Sequence, residues 1–226
     1  VAGIGISVVA LAGLMQTLLT NFPIQTWAFF FGLIVASSLF ILRGISGWKA
    51  LDAGLLALGV VLGVTVCTLS PTQTPEALWF IFLSGAIAIC AMILPGISGS
   101  FILLLMGKYA FIMNAVTELN IVVLAVFAVG CAVGIISFSH VLSWLLNKYY
   151  MLTIALLSGF MVGSLLKVWP WKVPGAEAGF DFPALPGAFA QVTGADPQLF
   201  TAVAFMLLGL SIVLVIEFVA AKGAKK

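Results

Sequence analysis

Between Ala77 and Gly107 the chain carries no charged residue, yet the middle of that stretch reads Ile93-Leu94-Pro95-Gly96-Ile97-Ser98-Gly99-Ser100-Phe101. Proline removes a backbone donor, and glycine weakens a helix on either side of it. In hydrocarbon an opened backbone persists only where it is buried in protein or lines a polar cavity. A helix that restarts after such a break points unpaired N–H groups and a positive dipole end at the gap. Ser98 and Ser100 add hydroxyl donors, and Gly96 and Gly99 permit close backbone approach. The chemistry this suits is the binding of an anion, phosphate above all, at membrane depth. A Pro-Gly kink held by neighbouring helices would use the same residues, and spacing alone leaves that alternative open.

Other polar residues are sparse enough to weigh singly. Lys108 follows the break by about two helical turns and is a candidate counter-ion, since an intramembrane cation is functional by default. Its stem can instead snorkel to an interface. His140 is the sole histidine, flanked by Ser137, Ser139 and Ser143. It suits phosphate binding or a coupling proton, or simply a backbone bond near a helix end. Tyr109 and Ser139 lie beside these two, and Arg43 would meet an anionic head group in the inner leaflet. Cys67, Cys90 and Cys131 are widely spaced in apolar segments and read as packing residues. No metal and no cofactor are expected, apart from a coupling H+ or Na+.

The elements that must position these residues are membrane helices. Hydrophobic residues make up 63% of the 226 and charged residues 7%, against about a quarter charged in a soluble domain. The net charge of +2 gives no sign of a nucleic-acid partner. A crossing helix needs roughly 20 apolar residues, which places spans at about 1–20, 24–42, 50–70, 119–146, 150–168 and 198–221. Residues 78–117 form two apolar arms, 78–94 and 101–117, that are either two crossings or a re-entrant hairpin with the break at its tip. Basic residues favour the cytoplasmic side, which puts Arg43, Lys49, Lys148 and the tail with Lys222, Lys225 and Lys226 inside. The loop 169–197 with Glu177, Asp181 and Asp196 then lies outside as an irregular segment, and Trp48, Trp79, Trp169 and Trp171 fall near interfaces.

The chain also resembles itself. Gly32 and Gly159 stand 127 positions apart, and the same offset carries Leu18-Leu19 onto Leu145-Leu146, Thr26 onto Thr153 and Ala28 onto Ala155. Val35, Ser37 and Leu39 fall on Val162, Ser164 and Leu166 in the same register. Residues 1–20 should run outward and 119–146 inward, so the copies are related by inversion, as in many alternating-access transporters. The fold expected is an all-α polytopic membrane protein of inverted repeats, each three transmembrane helices plus a broken, re-entrant hairpin. Residues 1–70 would be the later part of the first repeat, without its re-entrant element, and 71–226 the second repeat. The offset places the first repeat's motif upstream of Val1, so the chain is expected to be N-terminally incomplete. The Gly-x-x-x-Gly pairs at 59/63, 130/134 and 159/163 read as helix-packing seams.

Pro95-Gly96-Ile97-Ser98-Gly99-Ser100, followed by Leu103-Leu104-Leu105-Met106-Gly107-Lys108-Tyr109, resembles the signature of the bacterial and archaeal polyprenyl-phosphate transporter family. The likeness continues through Ala28-Phe29-Phe30-Phe31-Gly32, Ser139-His140-Val141-Leu142-Ser143-Trp144-Leu145-Leu146, Gly159 and Trp169-Pro170-Trp171-Lys172. It implies a translocase returning undecaprenyl phosphate, a glycan carrier lipid, to the inner leaflet of the cytoplasmic membrane. The partners would then be the carrier lipid, the bilayer and, as an open option, further copies of the chain. A small-anion carrier would use the same cradle. Undecaprenyl-diphosphate phosphatases also use a Pro-Gly-x-Ser loop, but their pattern continues with an arginine and a later threonine. This chain has Gly99 and Leu103 at those places, and Glu76 is the only acid between Asp52 and Glu118.

Overall fold

Helices dominate because their backbone groups are satisfied within one segment, which hydrocarbon requires. The computed structural model describes residues 14–45, 47–72, 74–175 and 181–223. The chain forms α1 (14–21), α2 (Pro23–Arg43), α3 (Ala50–Thr68), α4 (Leu78–Ile93), α5 (Gly99–Leu105) and α6 (Tyr109–Thr117). There follow α7 (Ile121–Lys148), α8 (Tyr150–Ser164), β1 (Lys172–Pro174), β2 (Asp181–Pro183), α9 (Pro186–Thr193) and α10 (Leu199–Gly223). Pro23 opens α2, where its missing N–H would be unpaired anyway. Lys49 N–H donates to the Asp52 carboxylate at 2.8 Å and starts α3. Among the described residues four helices, α2, α3, α7 and α10, are long and apolar enough to cross a bilayer. Leu207, Val215, Ile216, Phe218 and Val219 of α10 are each about 60% exposed. An apolar face of that extent needs a lipid neighbour, and the protein is an all-α, multi-pass membrane protein.

Two expectations need revision. The arm at 101–117 is not one helix: α5 and α6 meet at 109°. Gly107, at φ +62°, turns the chain there, and this left-handed conformation is one that glycine adopts without strain. The loop 169–197 is not irregular either. Val173 pairs with Phe182 in an antiparallel ribbon, and α9 follows, ending at Gly194 with φ +67°. Trp171 is 3% exposed in a cluster with Ile24, Ala28 and Ala202. Burial there leaves its indole N–H in need of an acceptor, and it donates to Pro197 O at 2.7 Å. The span at 150–168 ends as a helix at Ser164. Of the span at 1–20, residues 1–13 lie outside the described residues, as do Lys225, Lys226 and Glu177.

The chain divides into two compact units, 1–40 with 165–226, and 41–164. In the first, α2 and α10 cross at glycines. A Cβ on Gly32 would overlap the Met206 carbonyl, and one on Gly209 would overlap the Phe29 carbonyl. In the second, α8 and α3 cross the same way: Gly159 lies on the Leu56 carbonyl, and Gly59 on the Leu156 carbonyl. Phe29 and Gly32 become Leu156 and Gly159 through the 127-residue offset. In both crossings each glycine sits on the carbonyl of the residue three before its partner glycine. Small residues let two backbones approach this closely. The threonines match as well, Thr26 Oγ1 donating to Phe22 O at 2.7 Å and Thr153 Oγ1 to Tyr149 O at 2.9 Å. Beside each crossing lies an apolar cavity. The one in the second unit has about 310 Å³, lined by Leu55, Leu145, Tyr149, Leu152, Thr153 and Leu156. The one in the first has about 410 Å³, and its walls include Leu18, Phe22, Gln25, Thr26, Phe29 and Phe205.

Candidate functional site

The broken segment is the tip of a hairpin built from α4 and α5. Helix α4 is apolar throughout and packs on α7 through glycines: a Cβ on Gly130 would overlap the Phe82 carbonyl, and one on Gly85 the Phe127 carbonyl. It stops at Leu94, ahead of Pro95, since the residue before proline is pushed out of the helical region. Gly96 then turns the chain at φ +98°. Only glycine fits at this point. A Cβ would overlap the Ser164 hydroxyl and lie 2.8 Å from the Ser164 Cβ. Ser164 is itself fully buried and donates to Met161 O at 2.7 Å, so α8 backs the tip with a rigid floor. Ser98 restarts the helix as its N-cap, its Oγ accepting from Phe101 N–H at 3.2 Å. Gly99 fits against α4, where a Cβ would meet Ala88 O at 2.8 Å and Met92 Cγ at 2.9 Å.

The hairpin closes at its base. Thr72 N–H donates to Leu105 O at 2.9 Å, and the Thr74 hydroxyl donates to Met106 O. Chain entering α4 and chain leaving α5 therefore meet at one end, with Pro95–Ser98 at the other. Lys108 belongs to the base. It is 2% exposed, its Nζ donates to Thr74 O at 2.7 Å, and it lies between the rings of Phe80 and Phe111 at 5.8 and 5.6 Å. A buried amine needs such partners.

At the tip, side chains alternate between the protein and the outside. Ile97, Gly99 and Phe101 are buried, Pro95 is half-buried, and Gly96, Ser98 and Ser100 are exposed. The two hydroxyls stand 3.1 Å apart, Ser98 Oγ to Ser100 Oγ. Together they offer a pair of rotatable O–H groups beside glycine backbone, an arrangement that can donate to two oxygens of one anion. The remaining candidates are elsewhere. Tyr109 is 41% exposed at the first position of α6, beyond the base. Ser139 Oγ and His140 Nδ1 both bond to Ile136 O, at 3.0 and 2.8 Å, on their own helix α7. Arg43 is the exposed last residue of α2. The described contacts thus join Ser98 to Ser100, whereas those of Lys108, Ser139 and His140 lead to other partners. Two residues escaped the sequence reading of the site. Ser164 was visible only as a repeat match with Ser37, and nothing in the sequence marks the Thr74 carbonyl as a lysine's acceptor.

A protein-family profile described as undecaprenyl phosphate translocase-like matches residues 1–178. A polyprenyl-phosphate transporter of Vibrio cholerae serotype O1 is 41% identical over 229 residues, which cover 97% of this chain and 74% of that protein. A polyprenyl-phosphate transporter of Staphylococcus aureus is 30% identical over 189 residues, covering 75% of this chain and 66% of that protein. The aligned parts thus span about three quarters of the first relative's length and about two thirds of the second's. No solved structure matches the chain. These names are of transporters rather than enzymes. With four helices among the described residues long and apolar enough to cross a bilayer, a broken-helix hairpin, and a profile that covers most of its length, the chain belongs to the undecaprenyl phosphate translocase-like family.

Proposed function

We propose that this protein is a translocase carrying polyprenyl phosphate across the cytoplasmic membrane, from the outer to the inner leaflet, with its C-terminus inside. The observation that carries the reading is the exposed Ser98–Ser100 hydroxyl pair at the tip of a hairpin whose two ends meet, in a chain of this family. Residues Pro95 to Ser100 hold the phosphate head group. Helix α4, of 16 residues, rises about 24 Å, short of the roughly 30 Å hydrocarbon core. The hairpin is therefore re-entrant, and its tip lies within the bilayer. A bare phosphate is prohibitively unstable in hydrocarbon, so only the head group needs this shelter, while the isoprenoid chain stays in lipid. Lys108 acts as a positioning residue that ties the base of the hairpin to Thr74, in the segment before α4.

Hydrolysis of a diphosphate fits the same site poorly. The guanidinium that the phosphatase pattern requires would stand at Gly99, whose space is filled by Ala88 O and the Met92 side chain. The test is translocation of a fluorescent polyprenyl phosphate in proteoliposomes holding the full protein. Ser98→Ala with Ser100→Ala should abolish movement while leaving the protein folded. Translocation at the wild-type rate by that double variant would overturn the site. Release of inorganic phosphate from polyprenyl diphosphate would overturn the transporter reading.

A further inference from the structure

The two apolar cavities are one feature present twice. Leu145, Tyr149, Leu152, Thr153 and Leu156 are the images, 127 residues on, of Leu18, Phe22, Gln25, Thr26 and Phe29. The sixth wall residue follows the other helix of the crossing: Leu55 stands to Gly59 as Phe205 stands to Gly209, four residues before it. Every described wall residue of the smaller cavity thus has its counterpart in the larger, although only the threonine and one leucine are conserved in type. A gap that survives such changes of side chain is set by the helix crossing and is not a local packing accident. Its walls are carbon almost throughout, because the Thr153 hydroxyl is turned to Tyr149 O. At about 310 and 410 Å³ the cavities fall in the range of small-molecule sites, about 300–1,000 Å³.

We infer that the cavity at Leu152–Leu156 holds the phosphate-proximal isoprene units of the carrier lipid, making it a chain-binding subsite of the head-group site at Pro95–Ser100. The inference rests on the head-group reading above. What selects this occupant over an ordinary acyl chain is helix α8. Ser164 on that helix backs Gly96 at the hairpin tip, and Thr153 lines the cavity. They are eleven residues apart, close to three full turns, which puts them on one face about 16 Å apart along the axis. A lipid whose phosphate sits at the tip and whose chain follows that face enters the cavity within its first few isoprene units. A phospholipid with its head group at the bilayer surface has no such anchor at the tip.

The test uses the full protein in proteoliposomes and a C55 polyprenyl phosphate with a diazirine on the third isoprene unit. Photolabel should concentrate on Leu55, Leu152 and Leu156, be competed by unlabelled polyprenyl phosphate, and resist competition by phosphatidic acid. Leu152→Trp and, separately, Leu55→Trp fill the cavity. Each should weaken C55 phosphate binding by at least about tenfold, the loss expected when two or more methylene-sized groups are deprived of apolar contact. Neither should alter binding of isopentenyl phosphate, which is too short to reach it. The wild-type labelling decides the matter if both variants fail to fold. Label spread evenly over lipid-facing helices, or equal competition by phosphatidic acid, overturns the subsite and leaves the head-group reading standing. Failure of the wild-type protein to bind polyprenyl phosphate at all overturns both.

Discussion

Gly96→Ala is the most demanding single perturbation of the proposed site, because two separate costs act on one methyl group. The first is conformational: Gly96 has φ +98°, and an L-residue held in such a sparsely populated region costs about 1–3 kcal/mol. The second is steric: the new Cβ overlaps the Ser164 hydroxyl and lies 2.8 Å from its Cβ, an overpacking that typically costs about 1–3 kcal/mol. Together they amount to about 2–6 kcal/mol at the tip, enough to displace the Ser98–Ser100 pair or unfold the turn. The two costs can be separated at Ser164. Ser164→Gly removes both the hydroxyl and the Cβ that clash, and leaves φ untouched. In a double-mutant cycle scored by thermal unfolding in detergent and by proteoliposome translocation, Gly96→Ala should be partly rescued in the Ser164→Gly background. The rescue should match the steric share, and a residual loss of about 1–3 kcal/mol should persist. Strict additivity of the two substitutions would refute the claim that α8 forms the floor of the tip. Wild-type stability and transport for Gly96→Ala would refute the tip geometry altogether.

The two serines should behave differently from one another. Ser98→Ala loses the cap on Phe101 N–H and should cost about 0.5–2 kcal/mol of stability, whereas Ser100→Ala should stay within about 0.5 kcal/mol. Both should slow translocation, and a Ser100→Ala protein with full activity would remove that hydroxyl from the site. Lys108→Met deprives the Thr74 carbonyl of its partner and should lower stability by about 1–3 kcal/mol. Affinity for polyprenyl phosphate in the folded fraction should be unchanged; a large loss of affinity at undiminished stability would instead make Lys108 a counter-ion. In the first unit, Lys172 Nζ lies 3.4 Å from the centre of the Trp27 ring. Burial chiefly, and repulsion from Lys167 in addition, push its pKa down from 10.5 to about 8, with Asp181 opposing. Labelling of Lys172 by an amine reagent should be half-maximal near pH 8. Because the folded value is the lower one, this segment should gain stability as pH rises from about 8 towards 10.5. A midpoint near 10.5 would contradict the burial.

The parts of this fold that could be read from the sequence are those governed by one residue at a time. Apolar runs marked α2, α3, α7 and α10, and Pro95-Gly96 marked the break between α4 and α5, because proline and glycine act locally whatever surrounds them. The glycines at 59, 130 and 159 announced seams for the same reason: a missing side chain permits backbone contact. The bend at Met106–Lys108 was hidden inside an apolar run, since Gly107 reads equally well as a tolerated helix residue. The structure of 169–197 was hidden too, because Trp171 needed the distant Pro197 carbonyl before it could be buried.

Lys108 shows why the site was harder to read than the fold. Its charge and its two-turn distance from the motif make it a natural partner for an anion only if the arm 101–117 is one continuous helix. The chain instead bends at 109°, and the lysine turns back to the segment before α4. A carbonyl from a residue 34 positions earlier then satisfies it, a pairing no periodicity encodes. The same bend leaves Lys108 bonded at the base of the hairpin and not at its tip. In the head-group site we propose, the donors are then the uncharged hydroxyls and glycine backbone of Ser98–Ser100. A hydroxyl holds a phosphate through a charge-assisted hydrogen bond without the added ion-pair attraction of a lysine, which suits a carrier that must release its lipid on the far side.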